Sequence, residues 1–307
     1  MTEKSERLSV LILGYGEMGH AMEHLLSARQ HLDIWEKYPQ SGFQSAILEK
    51  AVPDADVVIF CLPVNPHREI VTHIAPLLKK SSICISIAKG LDEAGQTAAQ
   101  IFEDVLNPKN AYALLYGPMI SEEICAGRYA FAQLGCLNHS VYNKIHCCFQ
   151  HTHLFIEHSD DIPGISWSVI LKNVYAMIFG MADELQLGDN MRGFLSTAAL
   201  RELSQIAHHM GGKENSSYHL AGLGDLITTA TSEDSHHHTL GRMLARAETG
   251  NITGEGVHTL EMVCKHRLFD IADYPLFQLI RNIVKRPTNV SRKITNFIKH
   301  TYITHEK

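Results

Sequence analysis

The sequence has little of what marks a stapled, basic or membrane-bound chain. Its 7 cysteines are an odd number without framework spacing. No Cys-x-x-Cys pair occurs, which argues against a disulfide scaffold or a thiolate metal site. Cys147 and Cys148 are adjacent and poorly placed to bridge each other, while Cys61 and Cys84 lie in apolar runs expected in the core. Positive charge is not in excess: 27 Lys and Arg face 33 Asp and Glu, giving a net charge of −6 with His neutral. That balance argues against a general nucleic-acid-binding role. The longest apolar segment, Ile165 to Met181, is interrupted by Lys172 and Asn173 and is too short and polar to span a bilayer. The charged start, Met1 to Arg7, is unlike a signal peptide. Repeats, low-complexity segments and a serine-centred nucleophile motif are absent. What is left is a soluble, cytoplasmic protein of one or two domains, with globular values of 45% hydrophobic and 20% charged residues. Its 20 histidines will swing the net charge towards positive below about pH 6.5.

What is present begins with Val10-Leu11-Ile12-Leu13-Gly14-Tyr15-Gly16-Glu17-Met18-Gly19. An apolar strand ends in Gly-x-Gly-x-x-Gly and runs into a helical pattern with Met18, Ala21, Met22 and Leu25 on one face. Such a turn holds a dinucleotide pyrophosphate on backbone N–H groups at a helix N-terminus. Gly14, Gly16, Glu17, Met18 and Gly19 are therefore candidate cofactor residues. A second apolar stretch, His31 to Trp35, ends at Glu36, 22 residues after Gly14. A carboxylate there accepts from ribose hydroxyls and repels a 2′-phosphate, which favours NAD and leaves NADP as the lesser option.

Strand and helix patterns then alternate to about residue 160. Strands are expected at Ala55–Pro63, where proline stops the run, at Ser82–Gly90, and at Ala111–Leu115, Tyr129–Leu134 and Leu154–Glu157, with helices near Pro66–Leu78 and Thr97–Val105. Continuous apolar strands between helices predict a parallel, doubly wound Rossmann-type sheet. After Ser159-Asp160-Asp161-Ile162-Pro163-Gly164 the pattern becomes helical, over Ile165–Leu185, Phe194–Met210, His238–Ala247 and Glu261–His266. Residues 1–160 read as a NAD-binding domain and 161–307 as an all-α catalytic domain, with the active site in the cleft between them. The basic stretch Pro287 to Lys307 reads as a closing helix or a frayed tail.

Two segments of the helical half carry chemistry. Lys172-Asn173 interrupts an apolar helix, and a lysine so placed should lose pKa to desolvation, which suits acid–base work. In Leu220-Ala221-Gly222-Leu223-Gly224-Asp225-Leu226, two glycines precede an acid that reads as a helix N-cap. An aspartate there could also orient the lysine and bind substrate hydroxyls.

Together these motifs resemble the NAD(P)-dependent glycerol-3-phosphate dehydrogenase family over nearly the whole chain. The resemblance rests on the glycine turn, Cys61-Leu62-Pro63, Ala88-Lys89-Gly90 and Tyr116-Gly117-Pro118 followed by Glu122-Glu123. It extends through Leu171-Lys172-Asn173, Gly188-Asp189-Asn190, Gly222-Leu223-Gly224-Asp225-Leu226 and Gly254-Glu255-Gly256. The 53-residue separation of Lys172 and Asp225 also agrees with the family. The resemblance implies that Lys172 is the general base and that Lys89 lies near cofactor and substrate. It implies that Gly117 lines the substrate site, Asp225 contacts substrate, Asn173 supports Lys172 and Glu255 touches the cofactor. It also implies a homodimer.

The chain departs from the family where substrate phosphate is expected. Ser235-His236-His237 stands where the family has Ser-Arg-Asn, and Met119-Ile120-Ser121 where it has Ser-Phe-Ala. By position, Met119, Ser235, His236 and His237 would face substrate, and Ser121 and His236 would approach the cofactor. Losing a charge-assisted contact to a dianion costs roughly 1.5–3 kcal/mol, or about 10- to 150-fold in affinity. Either imidazolium groups bind the phosphate at low pH, or the substrate is another small hydroxy compound. A non-catalytic NAD(H)-binding regulator is a third reading. No metal is expected: neighbours in His236-His237-His238 and His208-His209 diverge on a helix, and no carboxylate or cysteine completes His146, His151 and His153.

Overall fold

The computed structural model describes residues 7–232, 235–248, 250 and 252–303. The charged start Met1–Glu6 and the last four residues of the tail lie outside the described residues. The chain divides into two compact units: residues up to Asp92 with Gln96–Ser166, and Glu93–Gly95 with the chain from Trp167 onward.

The first unit runs β1 (Ser9–Leu13), α1 (Glu17–Leu26), β2 (His31–Trp35), α2 (Leu48–Asp54), β3 (Val57–Phe60), α3 (His67–Ile74), β4 (Ile83–Ser86), α4 (Ala98–Val105), β5 (Ala111–Tyr116), α5 (Ser121–Cys125), β6 (Ala130–Gly135), α6 (His139–Cys148) and β7 (Leu154–Ser159). The strands form one sheet in the order β2-β1-β3-β4-β5-β6-β7. Successive side chains of a strand point to opposite faces, and β1 feeds two cores accordingly. Val10 and Ile12 pack with Ala21, Met22, Leu25 and Leu26 of α1. Leu11 and Leu13 pack with Val52, Ile70, Val71 and Ile74 of α2 and α3. This is the expected double winding.

The sheet is not wholly parallel, which corrects the expectation. β6 runs antiparallel to β5, with Leu115 opposite Leu134, and is itself parallel to β7. The connection after β5 holds only the short α5 and returns at the same end of the sheet, as an antiparallel neighbour requires. Through β1, β3, β4 and β5 the register aligns Leu13, Phe60, Ser86 and Leu114. The loops after these strands thus leave one carboxyl edge. β1 has β2 on one side and β3 on the other. Ligands of such sheets bind outside the strand ends at this reversal.

The second unit is helical: α7 (Ile162–Glu184, beginning in the first unit), α8 (Asp189–His209), α9 (Asp225–Thr231), α10 (His236–Ala245), α11 (Glu255–His266), α12 (Pro275–Lys285) and α13 (Val290–Ile303). α7 is the one described helix long and apolar enough to cross a membrane, and its apolar window is wholly buried here. It meets α10 at two glycines, where a Cβ on Gly180 would lie 2.0 Å from the His238 carbonyl oxygen and one on Gly241 2.1 Å from that of Met177. Glu202 of α8 ties three helices together. Its carboxylate accepts the Leu276 and Phe277 N–H groups at 2.6 and 2.8 Å and the Tyr175 hydroxyl at 3.0 Å.

Several helices begin earlier than expected. α8 starts at Asp189 rather than Phe194, after Gly188 with φ +81°. α11 starts at Glu255 rather than Glu261, after Gly254. α12 was not anticipated, although Pro275 opens it and Leu276, Ile280 and Ile283 line one buried face. The basic tail is a helix over Val290–Ile303. Asp225 is not an N-cap. The five residues Leu220–Gly224 already form a wide helical turn, so Gly224 holds the N-cap position of α9 and Asp225 has helical φ/ψ of −72° and −28°.

Candidate active site

In the first unit the glycine turn joins β1 to α1. A Cβ on Gly19 would sit 2.3 Å from the Gly14 carbonyl oxygen, and one on Gly14 2.6 Å from Leu62. Both glycines are therefore demanded by close packing. Gly16 differs: a Cβ there would meet nothing within 4 Å. It precedes α1 with no side-chain cap on the helix. Open space before uncapped N–H groups suits a pyrophosphate, so the turn fits the dinucleotide expected of it. Glu17 is exposed at the first helical position, and Met18 packs against the core.

Glu36 sits just past β2. Its carboxylate accepts the Tyr15 N–H at 2.8 Å and the Tyr38 N–H at 3.0 Å. The acid is thus anchored to the glycine turn. Tyr15 stacks between His20 and Phe43, at centroid distances of 3.9 and 4.6 Å. Its phenol donates to Glu23, which with burial holds its pKa up at about 12.

At the next strand ends, burial pushes the Cys61 thiol pKa up. Lys89 Nζ donates to the Gly117 carbonyl oxygen at 3.0 Å. Gly117 has no room for a side chain, since a Cβ would lie 2.4 Å from the Phe131 carbonyl oxygen. Met119 packs into the core cluster beside α1. Ser121 opens α5 and donates to Glu122 at 2.9 Å.

The second unit gathers Lys172, Asp225 and a residue without a sequence signal of its own, Thr229. All three are buried, at 5%, 2% and 7% exposure. Lys172 Nζ lies 3.3 Å from Asp225 Oδ1 and donates to Thr229 Oγ1 at 2.6 Å. Thr229 in turn donates to the Asp225 carbonyl oxygen at 2.7 Å. Thr229 follows Asp225 by four residues, so one helix face carries both. Asn173 Nδ2 donates to Glu255 Oε2 at 3.0 Å. Gly256 allows that approach, because a Cβ on it would lie 2.6 Å from the Asn173 carbonyl oxygen.

The histidines serve the loop at the start of α11. His236 Nε2 is 2.8 Å from the Thr253 carbonyl oxygen, to which it donates. His237 Nε2 accepts the Gly256 N–H at 3.2 Å. Ser235 caps α10, its hydroxyl accepting the His238 N–H at 3.3 Å. Among the described residues, no group of three or more His, Cys, Asp or Glu could hold a metal ion.

Comparisons with known proteins identify the family. The family described as NAD-dependent glycerol-3-phosphate dehydrogenase matches with its N-terminal part over residues 37–142 and its C-terminal part over 161–295. The glycine turn and Glu36 precede the matched residues. A glycerol-3-phosphate dehydrogenase (NAD(P)+) from Thermosynechococcus vestitus is 30% identical over 287 residues, covering 90% of each chain. One from Fusobacterium nucleatum is 26% identical over 323 residues, covering 95% of this chain and 96% of that one. The solved structure of the Coxiella burnetii glycerol-3-phosphate dehydrogenase superposes with a TM-score of 0.82 at 21% identity, over 95% of this chain and 99% of that one. The chain belongs to the NAD-dependent glycerol-3-phosphate dehydrogenase family.

Proposed function

We propose that this chain interconverts glycerol 3-phosphate and dihydroxyacetone phosphate with NAD, and that Lys172 moves the proton. The observation that carries the proposal is the buried Lys172, held by Asp225 and Thr229, in a chain of this family. When bound, the nicotinamide supplies the hydride chemistry. The N–H groups at the start of α1 would seat the pyrophosphate before Gly16. Glu36 keeps lone pairs beyond those given to Tyr15 and Tyr38, and these would accept from a ribose hydroxyl. A 2′-phosphate would meet its charge, which favours NAD over NADP.

For oxidation, Lys172 Nζ as the neutral amine takes the proton of the secondary hydroxyl and becomes the ammonium; for reduction the ammonium gives that proton to the carbonyl oxygen. Asp225 and Thr229 fix the position of Nζ, so little reorganisation is left to the reaction. Asn173 and Glu255 brace each other, Asn173 supporting Lys172 and Glu255 facing the cofactor. Lys89, Gly117, Met119, Ser121, Ser235, His236 and His237 are the remaining candidates for ligand contact. We also read residues 1–160 as the cofactor domain and 161–307 as the catalytic one, and the protein as a cytoplasmic homodimer. Sedimentation would test the last point.

A second reading is favoured by the histidines. His236 and His237 are already engaged by Thr253 and Gly256, and neither offers the permanent charge of arginine. On this reading the substrate is another small hydroxy compound, without a phosphate at that end. NADH oxidation with dihydroxyacetone phosphate at pH 6 and pH 8, for wild type, His236→Arg and Lys172→Ala, separates the two. Turnover by wild type that Lys172→Ala abolishes supports the first reading and rules out a purely regulatory protein. Inactivity at both pH values without rescue by arginine supports the second.

A further inference from the structure

His67 opens α3 and is wholly buried. Its ring packs against both Phe60 and Phe102, at centroid distances of 5.0 and 6.0 Å. A phenylalanine would fill that slot without the cost of desolvating two ring nitrogens. What the histidine adds is a pair of hydrogen bonds. Nδ1 lies 2.8 Å from the Pro63 carbonyl oxygen and Nε2 2.9 Å from Ser86 Oγ. A carbonyl only accepts, so Nδ1 carries the proton. Burial pulls the pKa down to about 4, and the neutral ring accepts the Ser86 hydroxyl proton at Nε2. Ser86 Oγ also accepts the Ala88 N–H at 3.2 Å.

A continuous relay results, from the Ala88 N–H through Ser86 and His67 to Pro63. Pro63 lies in the loop after β3, and Ala88 in the loop after β4. Lys89 follows directly and reaches Gly117, beyond β5, at 3.0 Å. Three neighbouring strand ends at the carboxyl edge are thereby linked. We propose that His67 is a positioning residue: acting through Ser86, it fixes the Ala88-Lys89 backbone, and so the site from which the Lys89 ammonium reaches the ligand. The functional half of this statement rests on the reading of Lys89 as a ligand-contacting residue.

The test compares wild type with His67→Phe, Ser86→Ala, the double variant and His67→Gln. Gln presents a donor and an acceptor at about the spacing of the ring nitrogens. Melting temperature, NADH affinity, kcat and KM for dihydroxyacetone phosphate are measured, with hydrogen exchange of the segment Ser86–Leu91. His67→Phe and Ser86→Ala should each lower kcat about tenfold, with NADH affinity within about threefold. Each should also speed exchange in that segment. The double variant should be no worse than the poorer single one, because both break one relay. His67→Gln should recover most of the loss. Wild-type kcat and unchanged exchange in His67→Phe would overturn the proposal, as would losses that multiply in the double variant. If His67→Phe does not fold, Ser86→Ala and His67→Gln carry the same comparison. If wild type does not turn over dihydroxyacetone phosphate, the proposed activity fails, and exchange alone decides the relay: faster exchange supports it and unchanged exchange refutes it.

Discussion

The Gly256 N–H points at Nε2 of His237, 3.2 Å away. An N–H donates, so this nitrogen accepts and the ring is neutral in this arrangement. Protonation of Nε2 and the Gly256 bond exclude one another. An imidazolium at His237 would therefore loosen the start of α11, the turn that carries Glu255.

Gly256→Ala tests how tightly that turn is held. The added Cβ would lie 2.6 Å from the Asn173 carbonyl oxygen and 3.1 Å from His237 Cδ2. The first neighbour is backbone and cannot turn aside. A stability loss of about 1–3 kcal/mol is expected, with kcat reduced by about tenfold or more. Calorimetry and steady-state kinetics check this; a variant with unchanged melting temperature and kcat would count against the packing argument.

Gly16 and Gly19 should respond in opposite ways to alanine. Gly16 has an ordinary φ of −80° and open space before it. Gly16→Ala should melt like wild type yet bind NADH about tenfold or more weakly, because the methyl group intrudes where phosphate would lie. Gly19→Ala places a methyl group 2.3 Å from the Gly14 carbonyl oxygen and should lower the melting temperature. Thermal unfolding beside fluorescence titration with NADH distinguishes them.

Removing Lys172 alone takes an ion-pair partner from the Asp225 carboxylate, which is 2% exposed. Lys172→Ala should lose roughly 3–5 kcal/mol of stability and about 10²–10⁴-fold in kcat. Lys172→Met combined with Asp225→Leu should regain stability without regaining turnover. Denaturant titration and initial rates provide the check; turnover in the double variant would exclude Lys172 as the proton carrier.

Glu36 sets the cofactor choice on the reading given above. Wild type should prefer NADH to NADPH, and Glu36→Ala should narrow that preference by about tenfold or more, a change of about 1.4 kcal/mol. Equal use of both cofactors by wild type would contradict the like-charge argument.

Glu202 should leave a signature in the pH dependence of stability. Burial raises its pKa above 4.5, although the Leu276 and Phe277 N–H groups pull the other way. The folded state then holds the proton to higher pH than the unfolded chain. Its contribution is present below the unfolded pKa and is lost as pH rises through the folded one. The stability of wild type relative to Glu202→Gln should fall with rising pH across that window. Urea unfolding from pH 4 to pH 7 measures it; a constant difference would show that the pKa is not raised.

The strands were legible because buried parallel strands read as unbroken apolar runs, as in Val57–Phe60 and Ile83–Ser86. The reversal of β6 was not, because strand direction is set by how α5 returns the chain rather than by residues of β6. Asp225 misled because Gly-x-Gly-Asp resembles a loop and cap, whereas a wide helical turn already occupies Leu220–Gly224. Thr229 was open to inference once Asp225 is placed on a helix, since four residues bring both to one face. His67 was not legible, because its partners lie at Pro63 and Ser86 and only the sheet brings those loops side by side.

α7 carries a demand on synthesis. Its apolar window is wholly enclosed in the finished protein, yet the partners of three of its polar side chains come later in the chain. Ser168 pairs with Ser217, Lys172 with Asp225 and Thr229, and Asn173 with Glu255. A nascent chain that has left the ribosome only as far as Glu184 therefore carries Lys172 before the aspartate that pairs with it has been made. The ion pair of this buried lysine can form only once Asp225 has been made, 53 residues later in the chain.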